Sequence, residues 1–325
     1  MVPLVSILVP LHNKGAYVSD TIRAVQCQTI TNWEMIIVND HSTDEGPQLV
    51  IVMASQDQRI RLLSTNKRGP GAARNEALRH ANGDWVLFLD SDDLLESDHL
   101  EQQLDEARRN PSAHIVACGW KEFVDCLHGE MACKAPSGSE SEGPGPRDSS
   151  IAFAPWAVHA ALVKREVITT DCFWPEDMDP LLAEDNAFWF RLVYKTQVAY
   201  SHHSGALYRV HTPNGRSRAS EISPWFEGVH AAVTKNLRFL CTEGVSPNPT
   251  QCEHLFYLYL GLYHQAQAQG SKEYAKRSLH EAEHWLTWRV QSKPVNWRLR
   301  AWWLLGLRLS AILRTSRDRL LFRTT

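Results

Sequence analysis

The feature that most constrains this chain is a series of short, almost wholly apolar runs set between segments of helical periodicity. Residues 4–9, 34–38 and 85–89 show no in-and-out alternation. They suit strands covered on both faces, as in a parallel sheet. Between them, residues 16–28 repeat Val18, Ile22 and Val25 at helical spacing, residues 49–54 and 71–80 read as helices, and residues 60–63 read as a short strand. A further strand is expected at 115–120. Strand and helix in turn predict an α/β domain built on a doubly wound, mostly parallel sheet.

In such sheets ligands bind beyond the carboxyl ends of the strands. The residues there are polar. Pro10, Leu11, His12 and Asn13 follow the first run, Asn39-Asp40-His41-Ser42 the second, and Asp90-Ser91-Asp92-Asp93 the third. All three ends are expected to converge on one crevice.

Each group has a chemical reading and a plainer one. Asp90, Asp92 and Asp93 repel one another unless a cation or strong donors neutralise them. A divalent metal resolves this, and hard oxygen ligands suit Mg²⁺ or Mn²⁺; the plainer reading is a Ser91 or Asp93 helix cap. Asp40 could accept from a nucleobase imide N–H, or its surroundings could form an Asx-turn. Residues 66–71, with Arg68 just ahead of the helix that carries Arg74, place basic groups and backbone amides at a helix N-terminus, where anions bind; a simple turn explains the same composition. Neither a dinucleotide fingerprint nor a P-loop is present. Asp185 opens the apolar run 187–193, as a cap or as a general base that takes a proton from an attacking hydroxyl.

Composition narrows the classes. A net charge of −3 gives no global basic field for nonspecific nucleic-acid binding. Seven scattered cysteines without a Cys-x-x-Cys pair indicate neither a disulfide framework nor zinc, and fit a reducing cytosol. The N-terminal apolar run lacks a basic segment ahead of it and reads as a strand, not a signal peptide. No run reaches the roughly 18 apolar residues of a spanning helix, so the expectation is a soluble or peripheral protein. Residues 136–150 read as a loop, and beyond about 220 the chain turns helical. Residues 298–325 hold seven arginines against one aspartate. There Trp302, Leu305, Leu309, Ile312 and Leu320 form a stripe, which reads equally as a helix lying on anionic lipid or as one packed on protein.

The motifs VSILVPLHNKGAYVSDTIRAVQCQT, VNDHSTD, GPGAARNEAL, GDWVLFLDSDD and AEDNAFWFRL, in this order, resemble the family 2 glycosyltransferases of the GT-A fold, over roughly residues 3–212. The resemblance, to enzymes of bacterial surface-polysaccharide type, implies inverting transfer of a sugar from a nucleoside-diphosphate donor, expected to be a UDP-sugar. The acceptor is the hydroxyl of a saccharide or a lipid-linked saccharide, at the cytoplasmic face. It assigns the donor's base to Asp40, with Pro10, His12 and Asn13 lining that pocket and Arg68, Arg74, Asp90 and Ser91 on the donor. Asp90 and Asp92 form the Asp-x-Asp motif, with Asp92 the direct ligand of Mn²⁺ or Mg²⁺. Asp185 matches the catalytic base, and His211 follows in an element that can reach phosphate or metal. Asn39 stands where an Asp is common, and His12 replaces a frequent Tyr. The implied organisation is a catalytic domain over 1–219, with nucleotide-sugar binding in about 1–120 and the acceptor side in about 150–219, then a helical extension over 220–325. Two other readings are a phosphatase or phosphotransferase using the Asp90–Asp92 pair, and a non-enzymatic carbohydrate-binding module.

Overall fold

The computed structural model describes residues 3–124, 146–210, 221–292, 299–300 and 302–303. Two compact units emerge: Met1–Ser141, Pro155–Pro180 and Arg191–Gly215 form one, and Glu142–Ala154, Leu181–Phe190 and Arg216–Thr325 the other. Thus 142–154 and 181–190, which the sequence reading places with the N-terminal domain, group with the C-terminal helices.

The first unit starts with β1 (Val5–Leu11), α1 (Gly15–Gln26), β2 (Trp33–Asn39), α2 (Gly46–Gln56), β3 (Ile60–Ser64), α3 (Pro70–Arg79) and β4 (Trp85–Phe88). Every residue of β1 is buried, as its apolar run, interrupted only by Ser6, requires; the Ser6 hydroxyl donates to Glu34 at 2.7 Å. Val18, Ile22 and Val25 of α1 are fully buried against that core. After β4 come β5 (Leu94–Leu95), α4 (His99–Arg109), β6 (Ile115–Phe123), β7 (Ala161–Lys164) and β8 (Val198–Arg209).

These strands make one mixed sheet in the order β3-β2-β1-β4-β7-β6-β8-β5. Its first half is parallel: β1 lies between β2 and β4, with Leu11 opposite Asn39 and Leu8 opposite Phe88. The ends of all three strands therefore lie at one edge. Pro10 sits where this matters, because β4 pairing stops at Leu8 and the amide that proline lacks has no ladder partner to lose on that side. The second half contains antiparallel pairings of β7 with β4 and β6, and of β5 with β8.

The second unit is helical. It holds α5 (Pro146–Ser149), the start of α6 (Glu184–Lys195), α7 (Ile222–Thr242), α8 (Pro249–Ala268) and α9 (Lys272–Ser292). Residues 146–149, within the expected loop, thus form a helical turn. Asn248 caps α8 through a reciprocal pair with Gln251, and α8 packs on α9 across a turn at Gly270. No described helix is long and apolar enough to cross a membrane. Most of 298–325 lies outside the described residues; within the part described, Leu299 is buried and the Trp302 ring centroid lies 5.6 Å from that of Phe256 on α8.

Candidate active site

The three adjacent strand ends bring Pro10, His12, Asn13, Asp40, Asp90, Ser91 and Asp92 to one edge of the sheet, as their positions in the sequence predict. The loop after β1 and the loop after β2 are stitched together. His12 Nδ1 contacts the Asp40 carbonyl at 2.5 Å, which fixes the ring tautomer as a donor there. Asn13 adopts φ +50°, a region that asparagine tolerates, and its Oδ1 accepts from the Thr43 amide at 2.8 Å. The Asx-type contact is also present, since the Ser42 amide donates to Asn39 Oδ1 at 2.9 Å. Asp44, which closes the polar VNDHSTD cluster, accepts from the Gly15 amide at 2.7 Å and the Gly46 amide at 3.1 Å. It thereby places one carboxylate at the N-termini of α1 and α2.

Asp40 is buried and its Oδ2 accepts the Gly69 amide at 2.9 Å, joining the β2 end to the turn that starts α3. That turn overturns one expectation. The amides of Gly71 and Ala72 at the N-terminus of α3 are taken by the carboxylate of Asp179, at 2.7 and 2.9 Å. The anion at this helix end is the protein's own, so these amides do not await a ligand phosphate. Gly69 makes the approach possible: its φ is +111°, and a Cβ there would stand 2.2 Å from Asp179 Cβ. Arg68, beside it, is exposed.

The acidic cluster is also neutralised differently from the expectation. Arg74, 3% exposed, places Nη2 2.5 Å from Asp90 Oδ1 while its guanidinium lies 4.2 Å from the Trp174 ring centroid. It holds Asp90, so this side chain has a protein partner within the group of residues expected to meet the donor. Asn75 fixes Trp174 beneath it, accepting from the Trp174 amide at 2.9 Å and donating to its carbonyl at 3.0 Å. Lys14 Nζ lies 2.6 Å from Asp92 Oδ2. Neither Lys14 nor Trp174 was singled out in the sequence; Lys14 follows the first strand end directly, a position where a cation facing the third end could have been anticipated.

Asp93 turns inward. Its Oδ1 accepts the Arg209 amide at 2.7 Å, and its Oδ2 is 3.1 Å from Nδ1 of the fully buried His159. Burial, then the charges of Asp92 and Asp90, push the Asp93 carboxyl well above the usual range. Burial also draws His159 down to about 4. Arg209 Nε donates to the Asp92 carbonyl at 2.6 Å, so β8 braces the motif from the far side. The mutual repulsion of the aspartates is therefore met in part by Lys14 and Arg74, and repulsion alone does not demand a metal. Asp90 and Asp92 keep partly exposed side chains, 30% and 16%, and their hard oxygens fit Mg²⁺ or Mn²⁺. His211 lies outside the described residues.

Asp185 stands in the first turn of α6, half-buried, and its Oδ1 accepts the Asn186 amide at 2.8 Å. The turn is anchored within the second unit. Asn186 donates to the Ser150 carbonyl at 2.9 Å and accepts from Asn236 of α7 at the same distance, while Asn236 also bonds the Ile151 carbonyl. The preceding Ala183 has φ +64°.

The sheet order and the carboxylates after β4 define the GT-A class of α/β folds. Solved structures agree: S. aureus TarS 1–349 in complex with UDP-GlcNAc matches with a TM-score of 0.63 at 18% identity, covering 89% of this chain and 81% of that one. The mannosyltransferase PcManGT from Pyrobaculum calidifontis, in complex with GDP-Man and Mn²⁺, matches with a TM-score of 0.57 at 18% identity, covering 98% and 83%. The family whose profile is described as "Glycosyl transferase family 2" matches residues 6–153 of this chain. Among curated relatives, chondroitin synthase of Escherichia coli is 39% identical over 115 residues, 35% of this chain and 17% of that enzyme. This chain spans less than half the length of the curated relatives it matches, 36% and 45% for two of them.

Proposed function

We propose that the protein transfers a sugar from a nucleoside-diphosphate donor, a UDP-sugar, to a hydroxyl of a saccharide or lipid-linked saccharide, with inversion at the anomeric carbon. The observation that carries the reading is the gathering of Asp40, His12 and the Asp90–Asp92 pair on three neighbouring strand ends. Donors seen with structural neighbours, UDP-GlcNAc and GDP-Man, support it.

In this reading Asp40 accepts from the imide N–H of the base, and Pro10, His12 and Asn13 border it. Ser91 and the exposed Arg68 serve the ribose and phosphates, and Arg74 orients Asp90. Asp92 and Asp90 would hold Mn²⁺ or Mg²⁺, which when bound supplies positive charge to the pyrophosphate. The acceptor oxygen attacks the anomeric carbon and forms the new C–O bond; the bond to the β-phosphate oxygen breaks and its electron pair leaves on the nucleoside diphosphate. Asp185 takes the acceptor's proton. The donor half is assigned to about 1–120 and the acceptor side to about 150–219.

Asp185→Asn tests the base. Transfer from UDP-sugars should fall by about 100-fold or more, the lower end of what a general base contributes, with donor binding retained. Full activity in that variant removes Asp185 from the mechanism.

A further inference from the structure

A second cluster of metal-binding side chains lies after β5, independent of the donor reading. The antiparallel pairing of β5 with β8 sets Leu95 opposite Ala206, and the ladder continues as the Glu96 amide donates to the Gly205 carbonyl at 2.9 Å. This register carries Glu96 and Asp98 past His203. One ligand atom from each of the three lies within 4.8 Å of the others.

Four features make this more than an acidic surface. His203 Nε2 is buried, makes no hydrogen bond, and stands 3.5 Å from Asp98 Oδ1 and 3.8 Å from Glu96 Oε2. Glu96 divides its oxygens: Oε1 is held by Lys121 Nζ at 2.6 Å, leaving Oε2 on the histidine side. Behind them lies His99, fully buried, its ring against the His159 backbone. Gly205 lets the His203 ring lie this close to the strand: a Cβ there would stand 2.2 Å from His203 Nε2, so any other residue would displace the imidazole. A buried imidazole without a partner is costly, and a cation accepting its lone pair removes that cost.

We propose that Glu96, Asp98 and His203 form a Zn²⁺ site. One imidazole nitrogen with two carboxylate oxygens, and water in the fourth position, is a borderline donor set that suits tetrahedral zinc over Mg²⁺ or Ca²⁺. Two carboxylates balance the ion, and Lys121 orients Glu96 as an outer partner. Bound zinc would staple the start of α4 to β8, the strand whose Arg209 braces Asp92 and Asp93.

The test is a titration of the metal-stripped full chain with Zn²⁺ against a chromogenic chelator. Wild type should take up one tight zinc, and Asp92→Asn should keep it. His203→Ala and Asp98→Asn should each weaken it beyond the roughly 10- to 100-fold that a lost outer-shell partner costs. Co²⁺ in place of zinc should give the intense visible bands of a tetrahedral site, lost in the same two variants. If circular dichroism shows His203→Ala unfolded, Asp98→Asn decides. Undiminished zinc in the folded variants, zinc lost only in Asp92→Asn, or no tight zinc in wild type overturns the proposal.

Discussion

Replacing Asp179 with alanine should destabilise the first unit measurably, and the size follows from the contacts. Its carboxylate, in a residue 8% exposed, receives two backbone N–H groups at the N-terminus of α3 at 2.7 and 2.9 Å. Hydrogen bonds to a charged acceptor contribute about 1.5–3 kcal/mol each, and the helix dipole adds roughly 0.3–1 kcal/mol. The terms are not additive, and water entering the vacated space recovers part of them, so the expected loss is about 2–4 kcal/mol. For a unit of this size that lowers Tm by roughly 5–10 °C. Differential scanning calorimetry reads it directly. Sulfate supplies a second arm, because an anion can occupy the emptied helix terminus. As sulfate also stabilises proteins generally, the quantity to follow is the gain of Asp179→Ala over wild type across a sulfate series. A Tm within about 1 °C of wild type, or parallel sulfate responses, would refute the claim that Asp179 is the internal anion of α3.

Stability should also fall as pH drops from about 6.5 toward 4. His99 and His159 have folded values depressed by burial to about 3 and about 4, so in that window the unfolded chain binds protons that the folded one does not, and stability rises with pH. Asp93, raised by burial, acts in the opposite sense above the usual carboxylate range. Urea melts across pH should therefore show a shallower acid loss in His99→Gln than in wild type, and parallel slopes would remove His99 as a cause. For 298–325, the arginine-flanked stripe motivates the proposal of a peripheral contact with the inner membrane face, while the Trp302–Phe256 packing favours protein. Co-sedimentation of the full chain with anionic liposomes at low salt supports the membrane; failure to sediment ends that proposal.

Much of the architecture was legible because it rests on patterns that tertiary context reinforces. Largely apolar runs became the buried parallel strands β1, β2 and β4, and Val18, Ile22 and Val25 fixed the inner face of α1. What escaped notice depends on long-range partners. The twelve-residue strand β8 contains His202, His203 and Ser204 and shows no apolar run, and it is set by pairing with β6. The strand ends identified the candidate site, but not its wiring. Asp179 is 108 residues from the Gly71 amide it holds, and Lys14 is 78 residues from Asp92. No local spacing reports such contacts. They matter because they give the α3 amides an internal anion and Asp92 an internal cation.

The central claim is that the Asp90–Asp92 pair binds a nucleotide sugar through a divalent cation, and calorimetric titration of UDP-sugars with and without Mn²⁺ tests it most directly. Wild type should bind donor appreciably only with Mn²⁺. Asp92→Asn should lose that dependence, while Lys14→Met, which frees Asp92 of its ammonium partner, should bind Mn²⁺ more tightly than wild type. Donor binding that responds to Mn²⁺ identically in wild type and Asp92→Asn would contradict the account.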